Sequence, residues 1–202
     1  MVYSEYYSLD SEEFPTMKGR TSDSTGILDW RDIDWKVAKR QVSKIQKRIF
    51  RATRNARDGS GSWKTVRSLM KLLKRSISAL LIAIQRVTLV NQGRNTSGVD
   101  GYIAITNEQR TRLVNKWNWE EAIPVRRVYI PKRNGTRRPL GIPAIWDRIG
   151  QAILKMVYEP VFEVEFEPGS YGFRPERSCQ DAHSDIFQVL KKGSSYHWVL
   201  DA

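Results

Sequence analysis

The sequence predicts an α+β protein in which helices dominate and the strands are one β-hairpin and one terminal run. Two observations carry this. Apolar residues recur at three- and four-residue spacings over much of 32–87, 143–160 and 178–192, the period of a helix face. Between them, 125–142 holds two short strand-like runs around Arg133-Asn134-Gly135, and Asn-Gly is the strongest short-range hairpin signal. With 40% apolar and 28% charged residues, the 202-residue chain has a globular balance. It has no run of 18 apolar residues, which argues against a helical membrane span.

Residues 1–30 read as a flexible acidic tail. Ser, Thr, Asp, Glu and Gly are mixed without apolar period, and the start has neither an apolar signal core nor a basic transit pattern. A helix begins near Asp32, with Ala38, Val42, Ile45, Ile49 and Ala52 on one face, and stops at the Gly-Ser turn 58–62. A second helix begins at Ser62 as N-cap and carries an apolar stripe from Val66 to Val87. Together, 31–90 form a basic helical hairpin. A Gly/Asn/Ser loop fills 91–101, and a short helix follows from Thr106 to Asn118. After the β-hairpin, Pro143 opens a helix with Ile145, Ile149, Ile153, Met156 and Val157 buried and Pro160 near its end. A last helix spans Ser178 to Lys192, and Tyr196 to Asp201 form an apolar strand.

Charge is the loudest compositional signal. The net charge is +12, yet residues 31–95 alone hold 17 basic and 3 acidic groups, while 1–30 are net acidic. Such a block repels itself unless a polyanion neutralises it. Nucleic acid is the commonest such partner, and Lys44, Lys47, Arg48 and Arg51 are candidate contacts. An anionic membrane surface is the rival, disfavoured because the long apolar stripe suits tertiary packing and has few aromatic anchors. The bland alternative is a solvated helical pair.

The β-hairpin concentrates Arg126, Arg127, Lys132, Arg133, Arg137 and Arg138 in 13 residues, split by alternation between two faces. Arginine pairs bidentately with phosphate, and lysine offers a point charge. Charge on an edge hairpin also guards against aggregation, so the pattern alone leaves both readings open. The 91–101 loop lacks the Lys-Ser/Thr ending of a P-loop and the spaced glycines of a dinucleotide fingerprint, which leaves a surface loop. One cysteine and two histidines exclude an internal disulfide and make a His/Cys metal site improbable. Cys179 is expected as a small core residue, and His183 and His197 as structural. A reducing, cytosol-like compartment fits. Asp201, at a strand end, is the one carboxylate placed like a catalytic or metal-binding group.

Read in order, NQGRNTSGVDG, VRRVYIPKRNGTRRPLGIPAIWDRIGQAIL, SYGFRPERSCQDAH and WVLDA closely resemble the N-terminal part of group II intron-encoded reverse transcriptases, also called maturases. The basic segment before them resembles the N-terminal extension of those proteins, so the resemblance covers about residues 30–202. Retron, diversity-generating and CRISPR-associated reverse transcriptases share pieces of the pattern, which leaves the branch open.

The resemblance implies a right-hand polymerase, with 91–202 as its fingers and the first edge of its palm. It implies that Lys132 and Arg138 meet the incoming deoxynucleoside triphosphate and that Arg126 contacts the RNA template. Leu140, Ile142 and Pro143 would pack on the templating base, and Arg174, Pro175 and Arg177 would line the template track. The 91–101 loop would clamp the template and DNA primer, and 31–90 would grip group II intron RNA and so assist splicing and retrohoming. Family members use magnesium on a palm Asp and a later Asp-Asp pair. No Asp-Asp pair occurs here, and the metal ligand corresponds to the residue after 202, next to Asp201 and Ala202. The expectation is therefore no metal and no polymerisation by this chain alone, with the remaining part of the polymerase as partner. A non-catalytic RNA-binding splicing cofactor is the alternative.

Overall fold

The computed structural model describes residues 29–191. The expected acidic tail, His197, the strand at 196–201 and Asp201 lie outside them. The chain divides into two compact units, Met1–Val161 and Phe162–Ala202.

In the first unit a 3-10 turn, Trp30–Asp32, precedes α1, Trp35–Arg57. The expected start at Asp32 is moved because the Asp34 side chain accepts the Lys36 and Val37 N–H groups at 2.9 and 3.0 Å, which caps the helix there. Ala38, Val42, Ile45, Ile49 and Thr53 form its buried face. Ser62 caps α2, Trp63–Lys74, by accepting the Lys64 N–H at 3.2 Å.

The single second helix expected from Ser62 to Val87 is instead broken. Ser76 is extended, with φ −71° and ψ 127°, and α3 runs over Ile77–Gln85. α2 is one-sided, with Val66, Leu69 and Leu73 buried, whereas Ser78, Ala79, Leu80, Leu81, Ala83 and Ile84 are all buried in α3. An apolar run without a polar side needs cover on every side, which a straight continuation of a surface helix does not supply. Ser78 satisfies its hydroxyl by donating to Gln41 Oε1 at 2.6 Å. A π-turn, Arg86–Val90, then leads into the 91–101 loop, which opens with a 3-10 turn, Gln92–Asn95. α4, Asn107–Lys116, starts with a reciprocal capping box between Thr106 and Gln109.

Two antiparallel strands follow, β1, Arg126–Pro131, and β2, Arg137–Ile142. The connector entering β1 is docked by indole rings. Trp117 stacks on Trp146 at 5.8 Å, Trp119 meets Trp117 edge-on at 5.6 Å, and the Lys74 ammonium lies 4.2 Å from the Trp119 ring.

α5 spans Ile145–Glu165, with Ile145, Ile149, Ile153, Met156 and Val157 buried as the spacing predicts. It begins two residues after Pro143, not at it, and Pro160 lies inside it near its end, as expected. A proline within a helix forfeits the bond to the carbonyl four residues back. That carbonyl belongs to Met156, and the Gln46 amide of α1 donates to it at 2.9 Å. The same bond ties the basic helix to α5 across 110 residues.

In the second unit, the loop 166–178 leads to α6, Cys179–Leu190, capped by reciprocal bonds between Ser178 and Asp181. Cys179 is exposed rather than in a core, because no residue of α6 is buried. Among the described residues, mixed helices with one two-stranded sheet make an α+β fold.

Candidate nucleic-acid interface

The hairpin turn decides which cations meet. Lys132 N–H donates to Thr136 O at 2.8 Å, Gly135 N–H donates to Lys132 O at 3.1 Å, and Gly135 has φ +77°. This is a three-residue loop, Arg133-Asn134-Gly135, ending in a glycine bulge. Asn134 Oδ1 accepts the Thr136 N–H and hydroxyl at 3.2 and 2.7 Å, bracing the tip.

Below the turn, Ile130 pairs with Arg138, Val128 with Leu140 and Arg126 with Ile142. Directly paired residues share a face, and every second residue returns to it. Arg126, Lys132, Arg138, Leu140 and Ile142 therefore lie on one face. Lys132 and Arg138 are diagonal neighbours there, and Arg127, Pro131, Arg137 and Pro139 take the other face. The hydrogen-bonded Lys132–Thr136 pair also puts Pro131 and Pro139 at positions whose N–H would point outward. Both outer edges thus lack a donor where another strand would pair. All of β1 and β2 is exposed except Val128 and Ile142, which are half-buried, and Pro143 beyond β2 is half-buried too.

On α1, Lys44, Lys47, Arg48 and Arg51 stand at i, i+3, i+4 and i+7, forming one stripe roughly opposite the buried face. Arg48 and Arg51 are exposed, and Lys44 and Lys47 half-buried. Lys36, Lys39, Arg40 and Arg54 extend the exposed basic surface along α1, and Lys64, Arg67 and Lys71 add to it on α2.

In the second unit the three expected template residues differ. Arg174 is not on the surface. Its side chain is 5% exposed and forms an ion pair with Glu163, itself 3% exposed. It also donates to the Glu167 and Ser170 carbonyls at 2.8 and 2.7 Å. Four of its five N–H donors are spent on these partners inside the unit, so the guanidinium is enclosed where a template-lining residue is expected at a surface. Arg177 is half-buried, donates to Pro168 O at 3.1 Å and lies over the Tyr171 ring at 5.4 Å. Pro175 is half-buried. Phe173, just before them, and Glu176, between Pro175 and Arg177, have φ of 59° and 56°. Bonds with Ser178 hold the Asp181 carboxyl below the usual carboxylate range.

Among the described residues no three His, Cys, Asp or Glu side chains gather as a metal-ligand set. No helix among the described residues is long and apolar enough to cross a membrane.

Sequence reasoning missed the buried Arg110 and the half-buried Arg148, two guanidiniums bonded to neutral acceptors. A signal existed for Arg110, which sits next to the buried Thr111 and near Leu113 on a short helix. It also missed the tryptophan cluster, whose members lie at 117, 119 and 146.

Residues 30–117 match the family described as the N-terminal domain of reverse transcriptase. The group II intron-encoded protein LtrA of Lactococcus lactis subsp. cremoris is 37% identical over 116 residues, 55% of this chain and 19% of that protein. Maturase-like protein 1 of Euglena gracilis is 31% identical over 145 residues, 69% of this chain and 30% of that protein. The chain belongs to the intron reverse transcriptase and maturase family, as its N-terminal part. Protein YkfC of Escherichia coli K12 is 38% identical to this chain over 169 residues, 79% of it and 42% of YkfC. The chain thus spans less than half the length of the curated relatives it matches.

Proposed function

We propose that this chain is the intron-RNA-binding and fingers portion of a group II intron reverse transcriptase, with 31–90 as the basic extension and 91–202 as the fingers of a right-hand polymerase. Intron RNA is gripped through phosphates and shape by the α1–α2 surface. Binding the folded intron more tightly than its unfolded forms favours the catalytically folded RNA by mass action, which is how such a protein assists splicing. RNA-directed DNA synthesis belongs to the longer protein, where palm carboxylates and magnesium supply the metal chemistry.

The single observation that carries the reading is the hairpin register. It aligns three cations, Arg126, Lys132 and Arg138, with two apolar side chains, Leu140 and Ile142, on one face. Phosphates of a nucleotide and a template need cations, and a templating base needs apolar surface that accepts all four bases alike. Arg177 and Pro175 remain as template contacts, and Arg174 is left out.

Binding of a folded group II intron RNA and of an unstructured RNA of equal length, measured side by side on this chain, tests the proposal. Tighter binding of the folded intron is expected. Equal affinity for both would leave a generic polyanion binder and contradict the splicing role.

A further inference from the structure

The 91–101 loop presents Gln92, Arg94 and Asn95 at the surface. A surface loop ordinarily loses conformational freedom when it binds, and that loss weakens affinity. This loop is held from beneath at several points. Arg148, in the first turns of α5, donates from Nη1 to Gly93 O at 3.0 Å, from Nη2 to Thr96 O at 2.5 Å and from Nε to Pro143 O at 3.0 Å. Gly93 O also accepts the Thr96 N–H at 3.0 Å, so the guanidinium locks a turn that the backbone has already closed. Only a planar fork can span three carbonyls in this way.

Two further contacts fix the same loop. Gly98 lies against the start of α5, and a Cβ there would stand 2.6 Å from Ala144 Cα and N and 2.7 Å from Pro143 O. Arg110 clasps the approaches to the loop, donating from Nε to Thr88 Oγ1 at 3.1 Å before it and from Nη2 to Ile105 O at 2.6 Å after it. Burial pulls the Arg148 pKa down, with Asp100 of the loop opposing and Arg126 of β1 reinforcing the shift. The brace therefore sits within electrostatic reach of the hairpin face.

We infer that Arg148 is a positioning residue that holds the 91–101 loop ready-shaped, so that Arg94 meets a polynucleotide phosphate without an ordering cost. The inference rests on the reading of that loop as a nucleic-acid contact. Arg148 itself touches carbonyls of its own chain and not the ligand.

The test is a double-mutant cycle in RNA binding by the full chain. Arg94→Ala in the parent is expected to weaken binding about tenfold, the low end for a charged hydrogen bond. In an Arg148→Ala or Gly98→Ala background the same change is expected to cost less than about twofold, because the loop no longer delivers Arg94. Arg148→Lys should behave like Arg148→Ala, since one ammonium cannot span three carbonyls. Arg48→Ala on α1 should cost the same in every background, which a general loosening of the fold would not allow. Should Arg148→Ala fail to fold, Gly98→Ala decides, because it leaves every charge in place. An undiminished tenfold loss in the Arg148→Ala and Gly98→Ala backgrounds overturns the positioning role while leaving the loop as a contact. No loss from Arg94→Ala in the parent overturns that reading of the loop and the inference with it.

Discussion

Lys132 and Arg138 carry the sharpest residue-scale expectation. As diagonal neighbours on one hairpin face they can converge on one triphosphate, where several negative charges are concentrated. In a longer protein that includes the palm, Lys132→Ala or Arg138→Ala should raise the nucleotide KM by about 10- to 150-fold, the equivalent of roughly 1.5–3 kcal/mol. Arg126→Ala should weaken template affinity with little change in nucleotide KM. Steady-state kinetics with nucleotide and template varied separately check this, and loss of template affinity alone in the first two variants would contradict the assignment. Arg174 carries an expectation of the opposite kind, since its partner Glu163 is enclosed. Arg174→Met leaves that carboxylate uncompensated and should destabilise the second unit by about 3–5 kcal/mol, whereas adding Glu163→Leu should recover much of the loss. Hydrogen exchange of the amides in 166–190 measures both.

At the scale of elements, most of what the sequence predicts is local and most of what it misses is not. The Asn134-Gly135 pair marks the hairpin because a turn is decided by a few residues whose backbone freedom is legible in their type. Ser62, Thr106 and Ser178 mark helix starts for the same reason. The break at Ser76 was hidden because the apolar stripe continues through it, and only the need to cover α3 on all sides explains it. What lets α5 continue past Pro160 is not local, because the Gln46 amide that meets the freed Met156 carbonyl comes from 110 residues away. Gln46→Leu should therefore strand the Met156 carbonyl and cost about 1–3 kcal/mol of stability, seen as a lower urea midpoint at unchanged slope. Gly135→Val puts a β-branched residue at φ +77° and should cost at least about 1–2 kcal/mol of hairpin stability. NMR cross-strand contacts between Ile130 and Arg138 report it. The site was legible to the same degree. The cations on the hairpin and on α1 follow from sequence spacing, while the burial of Arg174 and the brace at Arg148 depend on partners no local pattern reveals.

At the scale of the whole molecule, the charge asymmetry and the fold agree. The positive excess of 31–95 falls on helices whose apolar faces are consumed by the core, which leaves the cations outward. That arrangement makes the α1–α2 surface the central claim, and the salt dependence of intron RNA binding tests it most directly. The parent chain should show log K falling linearly with log salt, with a slope of several units. Each single-strand phosphate contact contributes about −0.7 to that slope, so replacing Lys44, Lys47, Arg48 and Arg51 together by Ala should flatten it by roughly 3 units. A slope unchanged in the quadruple variant would contradict the account and remove α1 from the RNA-binding surface.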